Sequence, residues 1–181
     1  MDAMLSSVTI GVLGSGTDEH DDLAHDVGTL LAGLGVNLLT GGGQGVMASV
    51  SRAFSHAPRR RGVCIGIIPC VSEEERAKPR IGYPNEFVEL AIYTHLPYSG
   101  MRGKDELSRN HINVLSSAAL IALPGGHGTS AEVELALDYG KPLIAFARDA
   151  ALVKHFPAAV LRASTIGRVE EFVRRHVGDA A

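Results

Sequence analysis

One stretch constrains this chain more than any other: Leu123-Pro124-Gly125-Gly126-His127-Gly128-Thr129-Ser130-Ala131-Glu132. Ahead of it, Ala118-Ala119-Leu120-Ile121-Ala122-Leu123 is an apolar run suited to a buried parallel strand. Behind it, Val133, Leu135, Ala136, Leu137 and Tyr139 recur at helical spacing until Gly140 and Pro142 end the helix. The stretch is therefore a strand, a glycine turn and a helix start. Gly125, Gly126 and Gly128 let the backbone approach a ligand closely and reach positive φ. Unpaired N–H groups at the helix start favour an anion, and a phosphate is the natural guest. Glu132, one turn into the helix, puts a carboxylate near the same mouth. The same residues also spell a capping box, in which Thr129 caps the helix and Glu132 bonds back to it.

A second junction of this kind lies upstream. Val36-Asn37-Leu38-Leu39-Thr40 reads as a strand running into Gly41-Gly42-Gly43-Gln44-Gly45, and Val46, Met47, Val50 and Phe54 mark the helix behind it. The first strand, Val8 to Leu13, ends in Gly14-Ser15-Gly16-Thr17, an opening usual in doubly wound nucleotide-binding sheets although short of a full G-x-G-x-x-G. Leu23, Val27, Leu30, Leu31 and Leu34 form the next helical stripe, ended by Gly35. Asp18, Glu19, Asp21 and Asp22 at its start read as capping and solvation. Val63 to Ile68 gives a third strand ended by Pro69. Phe87 to Ile92 has strand character, Leu143 to Phe146 is a fifth core strand, and Val160 to Ile166 adds an edge strand. Val169, Phe172, Val173 and His176 mark a closing helix, followed by a frayed tail, Gly178 to Ala181. The fold class that follows is α/β: a Rossmann-like doubly wound parallel sheet flanked by helices, one nucleotide-phosphate-binding domain over residues 1–181. Two strand–glycine–helix junctions in one such sheet place both turns at its carboxyl edge, where these sheets bind ligands.

Leu107, Ile112, Val114 and Leu115 predict a helix from Glu106 to Ser117 leading into the Ala118–Leu123 strand. It runs antiparallel to that strand and carries Arg109 up to the level of the Pro124–Thr129 turn. A guanidinium there clamps a phosphate or a ribose hydroxyl, or pairs with Glu132; otherwise it is a surface arginine. Asn110 and His111 share that mouth. The polar stretch from Cys70 to Pro84 reads as a surface loop or a lid, the Pro97–Lys104 loop borders the ligand, and Arg59-Arg60-Arg61 is a solvated loop.

Other chemistries find little support. His95, His111 and His127 match no helical ligand pair, and no metal site is expected. Cys64 and Cys70 are not C-x-x-C, and Cys64 reads as a buried structural thiol. A net charge of −3 gives no electrostatic case for nucleic acid or an anionic membrane. No apolar run reaches the roughly 18 residues of a membrane span, and no signal-peptide pattern opens the chain. A cytoplasmic location is expected, with no cofactor.

Pro124-Gly125-Gly126-x-Gly128-Thr129-x-x-Glu132, with Gly41-Gly42-Gly43-x-Gly45-x-Met47 upstream, resembles the LOG family of Rossmann-like phosphoribohydrolases, often mislabelled lysine decarboxylases. The similarity runs from the first strand to about Phe146. It implies Glu132 and Arg109 as a catalytic pair and a homodimer as the assembly. The family's arginine sits in Met-x-x-Arg-Lys, whereas this chain reads Leu107-Ser108-Arg109-Asn110-His111. That Arg-Asn version resembles the branch containing the molybdenum cofactor carrier proteins, which bind a pterin phosphate without turning it over. The partner expected is thus a small-molecule nucleotide or pterin phosphate.

Two functions follow. In the first, the N-glycosidic bond of a nucleoside 5′-monophosphate is hydrolysed to free base and ribose 5-phosphate. The glycine turns and Thr129 hold the phosphate, and Glu132, kept ionised by the helix N-terminus, stabilises the oxocarbenium-like sugar or orients water. In the second, the same turns bind a phosphorylated small molecule, such as the molybdenum cofactor, and no bond breaks.

Overall fold

The computed structural model describes residues 8–177 of the chain; the Gly178–Ala181 tail lies outside them. In chain order the elements are β1 (Thr9–Leu13), α1 (Asp21–Leu34), β2 (Asn37–Thr40), α2 (Val46–His56), β3 (Cys64–Ile68), β4 (Leu90–Tyr93), α3 (Asn110–Leu115), β5 (Ala119–Ala122), α4 (His127–Asp138), β6 (Leu143–Phe146), β7 (Leu161–Ala163) and α5 (Ile166–Val177). All seven strands form one sheet in the order β4-β3-β2-β1-β5-β6-β7. Every pairing is parallel. This is the Rossmann-like α/β sheet expected. The strand order reverses between β1 and β5, where Ile10–Leu13 pair with Ala119–Ala122, and an open parallel sheet has its ligand crevice at such a switch point.

The strands are short apolar runs because helices cover both faces. All of β5 and β6 is buried, and β1 is buried from Ile10 onward. Leu23, Val27 and Leu31 of α1 pack in the same core as Val50 and Phe54 of α2. Helix α1 stops where Gly35 takes φ 70°, a left-handed cap that glycine adopts at little cost.

Local chemistry moved some boundaries. Strand β4 begins at Leu90 rather than Phe87, because Asn85 holds a turn: its Oδ1 accepts the Phe87 N–H (3.1 Å) and its carbonyl accepts the Val88 N–H (3.3 Å). Helix α3 is shorter than its apolar pattern suggests. The Asp105 carbonyl accepts the Ser108 N–H (2.9 Å) and Ser108 Oγ accepts the Asn110 N–H (3.2 Å), so tight turns occupy what would have been its first coil. Val160 to Ile166 shrinks to a three-residue edge strand before α5 begins. Arg59-Arg60-Arg61 is not merely a solvated loop. Arg60 grips both carboxylate oxygens of Glu89 at 2.8 and 2.6 Å and lies over the Phe54 ring, 5.1 Å from its centroid. No helix among the described residues is long and apolar enough to cross a membrane.

Candidate functional site

Three turns meet at the carboxyl edge. The Ser15 N–H donates to the Pro124 carbonyl (3.1 Å), and the Val46 N–H donates to the Ser15 carbonyl (2.9 Å). The turn after β1 is thereby tied to the turn after β5 and to the start of α2. Ser15 Oγ accepts the N–H groups of Thr17 (3.2 Å) and Asp18 (2.9 Å), so the first turn closes on its own side chain. Gly45 is needed at the junction: it takes φ 63°, and a Cβ there would lie 2.5 Å from the Ser15 carbonyl oxygen.

These turns surround a cleft of about 260 Å³. Of the residues the sequence nominated, Gly14, Ser15, Gly16, Gly41, Met47, Arg109, Asn110, Gly126, Gly128, Thr129 and Glu132 line it. Gly42, Gly43, Gly45, Pro124 and Gly125 are not among the lining residues; they shape the backbone behind it. The expectation of positive φ at Gly125, Gly126 and Gly128 does not hold. Around the cleft that conformation falls instead to Gly42 and Gly45 of the turn after β2 and to Gly100 of the Pro97–Lys104 loop. Gly125 serves closeness instead, since a Cβ there would lie 2.1 Å from Thr129 Oγ1.

Helix α4 starts at His127 with Gly126 as its N-cap and no side-chain cap. Its first intrahelical bond runs from the Ser130 N–H to the Gly126 carbonyl (3.0 Å), so the N–H groups of His127, Gly128 and Thr129 precede the helical ladder. The capping box is not formed. Thr129 lies inside the helix, and Glu132 Oε1 accepts from Asn113 Nδ2 of α3 at 2.8 Å. Arg109 Nη1 stands 3.9 Å from the same oxygen.

Arg109, Asn113 and Glu132 are all buried. Burial pushes the Glu132 carboxyl above the usual carboxylate range, against the opposing pull of the Arg109 charge and the Asn113 hydrogen bond. This direction is opposite to the ionising influence expected of the helix start. Arg109 Nε and Nη1 and Asn113 Oδ1 have no hydrogen-bond partner among the described residues. A buried guanidinium that lines a cleft and keeps donors unpaired has the chemistry to hold an anion.

His111 turns away from this chemistry, bonding the Tyr139 hydroxyl (2.7 Å) and the Asp105 carbonyl (3.0 Å). Sequence reasoning missed Tyr83 and Asn113, and it named Thr17, Ser99 and Gly100 only as part of a turn or a bordering loop. Thr17, Tyr83, Ser99 and Gly100 line the cleft. Asn113 follows Arg109 by four residues, a helical spacing that could have nominated it. No local signal marks Tyr83.

The chain resembles proteins known by sequence and by structure. An uncharacterized protein from Archaeoglobus fulgidus is 34% identical over 134 residues, 73% of this chain and 75% of that protein. The molybdenum cofactor binding protein from the phototrophic bacterium Rippkaea orientalis superposes with a TM-score of 0.71 at 31% identity, covering 97% of this chain and all of that one. The molybdenum cofactor carrier protein from Chlamydomonas reinhardtii superposes with a TM-score of 0.68 at 29% identity, covering 94% of this chain and 98% of that one. The SLOG cluster4 family matches residues 7–172. A LOG-like Rossmann sheet with its glycine turns at the switch point is what that match leads one to expect, and the chain belongs to the SLOG cluster4 family.

Proposed function

We propose that the cleft binds a phosphorylated small molecule of the pterin-phosphate kind, the molybdenum cofactor being the example, and holds it intact as a carrier. The observation that carries this reading is the buried Arg109 guanidinium, whose Nε and Nη1 lack hydrogen-bond partners among the described residues, in a cleft that the first turn of α4 also lines. Guanidinium and helix N-terminus together suit a phosphate. The carrier form is favoured because Glu132, which a hydrolase would use at the sugar, is buried and tethered to Asn113. The likeness to molybdenum cofactor proteins over nearly the whole chain supports it further. Protein purified from a cell that makes the cofactor should release an oxidised fluorescent pterin on denaturation, and Arg109→Ala should release none. Wild-type protein that carries no pterin and takes none up when it is supplied overturns the reading.

A second reading is an N-glycosidase acting on nucleoside 5′-monophosphates. Its specific support is that Glu132 lines the cleft with Arg109 3.9 Å away, the pair the LOG resemblance names. Arg109 would hold phosphate or ribose, while Glu132 would stabilise the oxocarbenium-like sugar or orient water. Chromatography of AMP, GMP, CMP and UMP incubations tests it: free base absent with Glu132→Ala supports it, and no base from any nucleotide removes it. Both readings take the protein as a cytoplasmic homodimer, which sedimentation checks for the assembly.

A further inference from the structure

Tyr83 is the aromatic side chain among the described residues lining the cleft, and it arrives from the polar 70–84 segment. That segment is fastened on two sides. The Tyr83 N–H donates to the Arg80 carbonyl (3.1 Å), closing a turn. Gln44 Nε2 donates to the Gly82 carbonyl (3.1 Å), the Asn85 N–H to the Gly42 carbonyl (2.8 Å), and Asn85 Nδ2 to the Gly43 carbonyl (2.8 Å). Arg80 Nη1 reaches Ser99 Oγ at 2.8 Å, and Arg80 Nη2 bonds the Pro97 carbonyl. The ring is thus set by the turn after β2 and by the Pro97–Lys104 loop.

Its seat is a glycine. A Cβ on Gly43 would lie 2.7 Å from Tyr83 Cζ and Oη and 2.8 Å from Met47 Cε. The phenol end of Tyr83 and the thioether methyl of Met47 therefore converge on one point of the turn. Two residues earlier the same turn seats the Arg109 guanidinium, which a Cβ on Gly41 would meet at 2.2 Å. Two residues of chain reach at most about 7 Å, so one turn packs against a cation and a phenol ring, and both line the cleft. A ligand that answers both has a phosphate joined through a short saturated unit to a flat ring.

We propose that Tyr83, backed by Met47, is the ring-binding wall of the cleft and takes the planar nitrogen heterocycle, purine or pterin, of the ligand whose phosphate Arg109 holds. This rests on the phosphate-binding reading above and adds to it the requirement for a ring. Stacking on an aromatic side chain strengthens binding of a base by about five- to hundred-fold. A phosphate ester without a ring forgoes that gain.

Isothermal titration of wild type, Tyr83→Ala and Tyr83→Phe with AMP, a pterin phosphate and ribose 5-phosphate tests it. A ring-bearing ligand should bind wild type about ten-fold or more tightly than ribose 5-phosphate. Tyr83→Ala should erase that advantage and leave ribose 5-phosphate affinity unchanged, which also shows that the variant is folded. Tyr83→Phe should keep the advantage. The proposal falls if Tyr83→Ala weakens all three ligands alike, if it spares the ring's advantage, if Tyr83→Phe loses it, or if wild type shows no such advantage while still binding ribose 5-phosphate. Failure of wild type to bind any of the three removes the phosphate reading, and the ring wall with it.

Discussion

The guanidinium of Arg109 occupies the space that a side chain on Gly41 would fill: a Cβ there would lie 2.2 Å from Nη1, 2.3 Å from Nη2 and 2.5 Å from Cζ. The first glycine after β2 thus gives the arginine before α3 its seat. Gly41→Ala should expel the guanidinium from the cleft. Affinity for a phosphorylated ligand should fall by about ten- to hundred-fold, the worth of hydrogen bonds to a charged group. Calorimetric titration checks this, and unchanged affinity would show that Arg109 is not the anchor for the anion.

Glu132 makes stability depend on pH. Its carboxyl holds its proton to higher pH in the folded chain than its ordinary value of 4.5. The stability contributed by the protonated form is fully present below that value and is lost as pH rises through the folded-state value. Glu132→Gln removes the ionisation. The variant should melt above wild type at alkaline pH, by ~2–4 °C for each kcal/mol gained, with the gap narrowing as pH falls toward about 4.5. A gap independent of pH counts against the burial argument.

Asn113→Ala removes the 2.8 Å donor to Glu132 Oε1 and leaves a buried acceptor without a partner. The cost should be about 1–3 kcal/mol, read as a lower denaturation midpoint with unchanged slope. The Glu132 carboxyl should also titrate higher, since the lost hydrogen bond was lowering its pKa.

Burial pushes the Cys64 thiol up to about 11, and both Cys64 and Cys70 are buried. At neutral pH little thiolate is available and reagents have no access. A thiol-specific dye should label the native chain slowly and both cysteines promptly in denaturant. Rapid labelling of Cys64 in the native protein would contradict the placement of β3 in the core.

The parts of this fold that could be read in advance are those whose cause is local. Apolar runs flanked by glycine announce β1, β2 and β5 because burial on both faces and a turn's geometry are written in adjacent residues. Arg109 could be placed at the mouth because a helix feeding a parallel strand must start at the carboxyl edge. Glu132's true partner could not, because Asn113 comes from another element and Thr129-x-x-Glu132 satisfies a local rule equally well. Tyr83 stayed hidden for a similar reason. Its position is fixed by the Gln44 Nε2 bond to the Gly82 carbonyl and by its own N–H bond to the Arg80 carbonyl, both outside any regular pattern around the ring. Strand β4 began late because one asparagine turned the chain at a point where propensity favoured extension.

The order β4-β3-β2-β1-β5-β6-β7 makes the cleft a property of the whole chain. Ser15, Gly41, Tyr83, Arg109 and Glu132 all line it, yet they belong to segments brought together only when β1 lies between β2 and β5. A ligand held there binds the native state and has nothing comparable to bind in the unfolded one. At a hundred-fold excess over its Kd it should add about 2.7 kcal/mol to stability. Melting temperature is therefore itself a detector of the ligand, and a panel of phosphorylated metabolites can be ranked by heat alone, without a label or an assay for turnover.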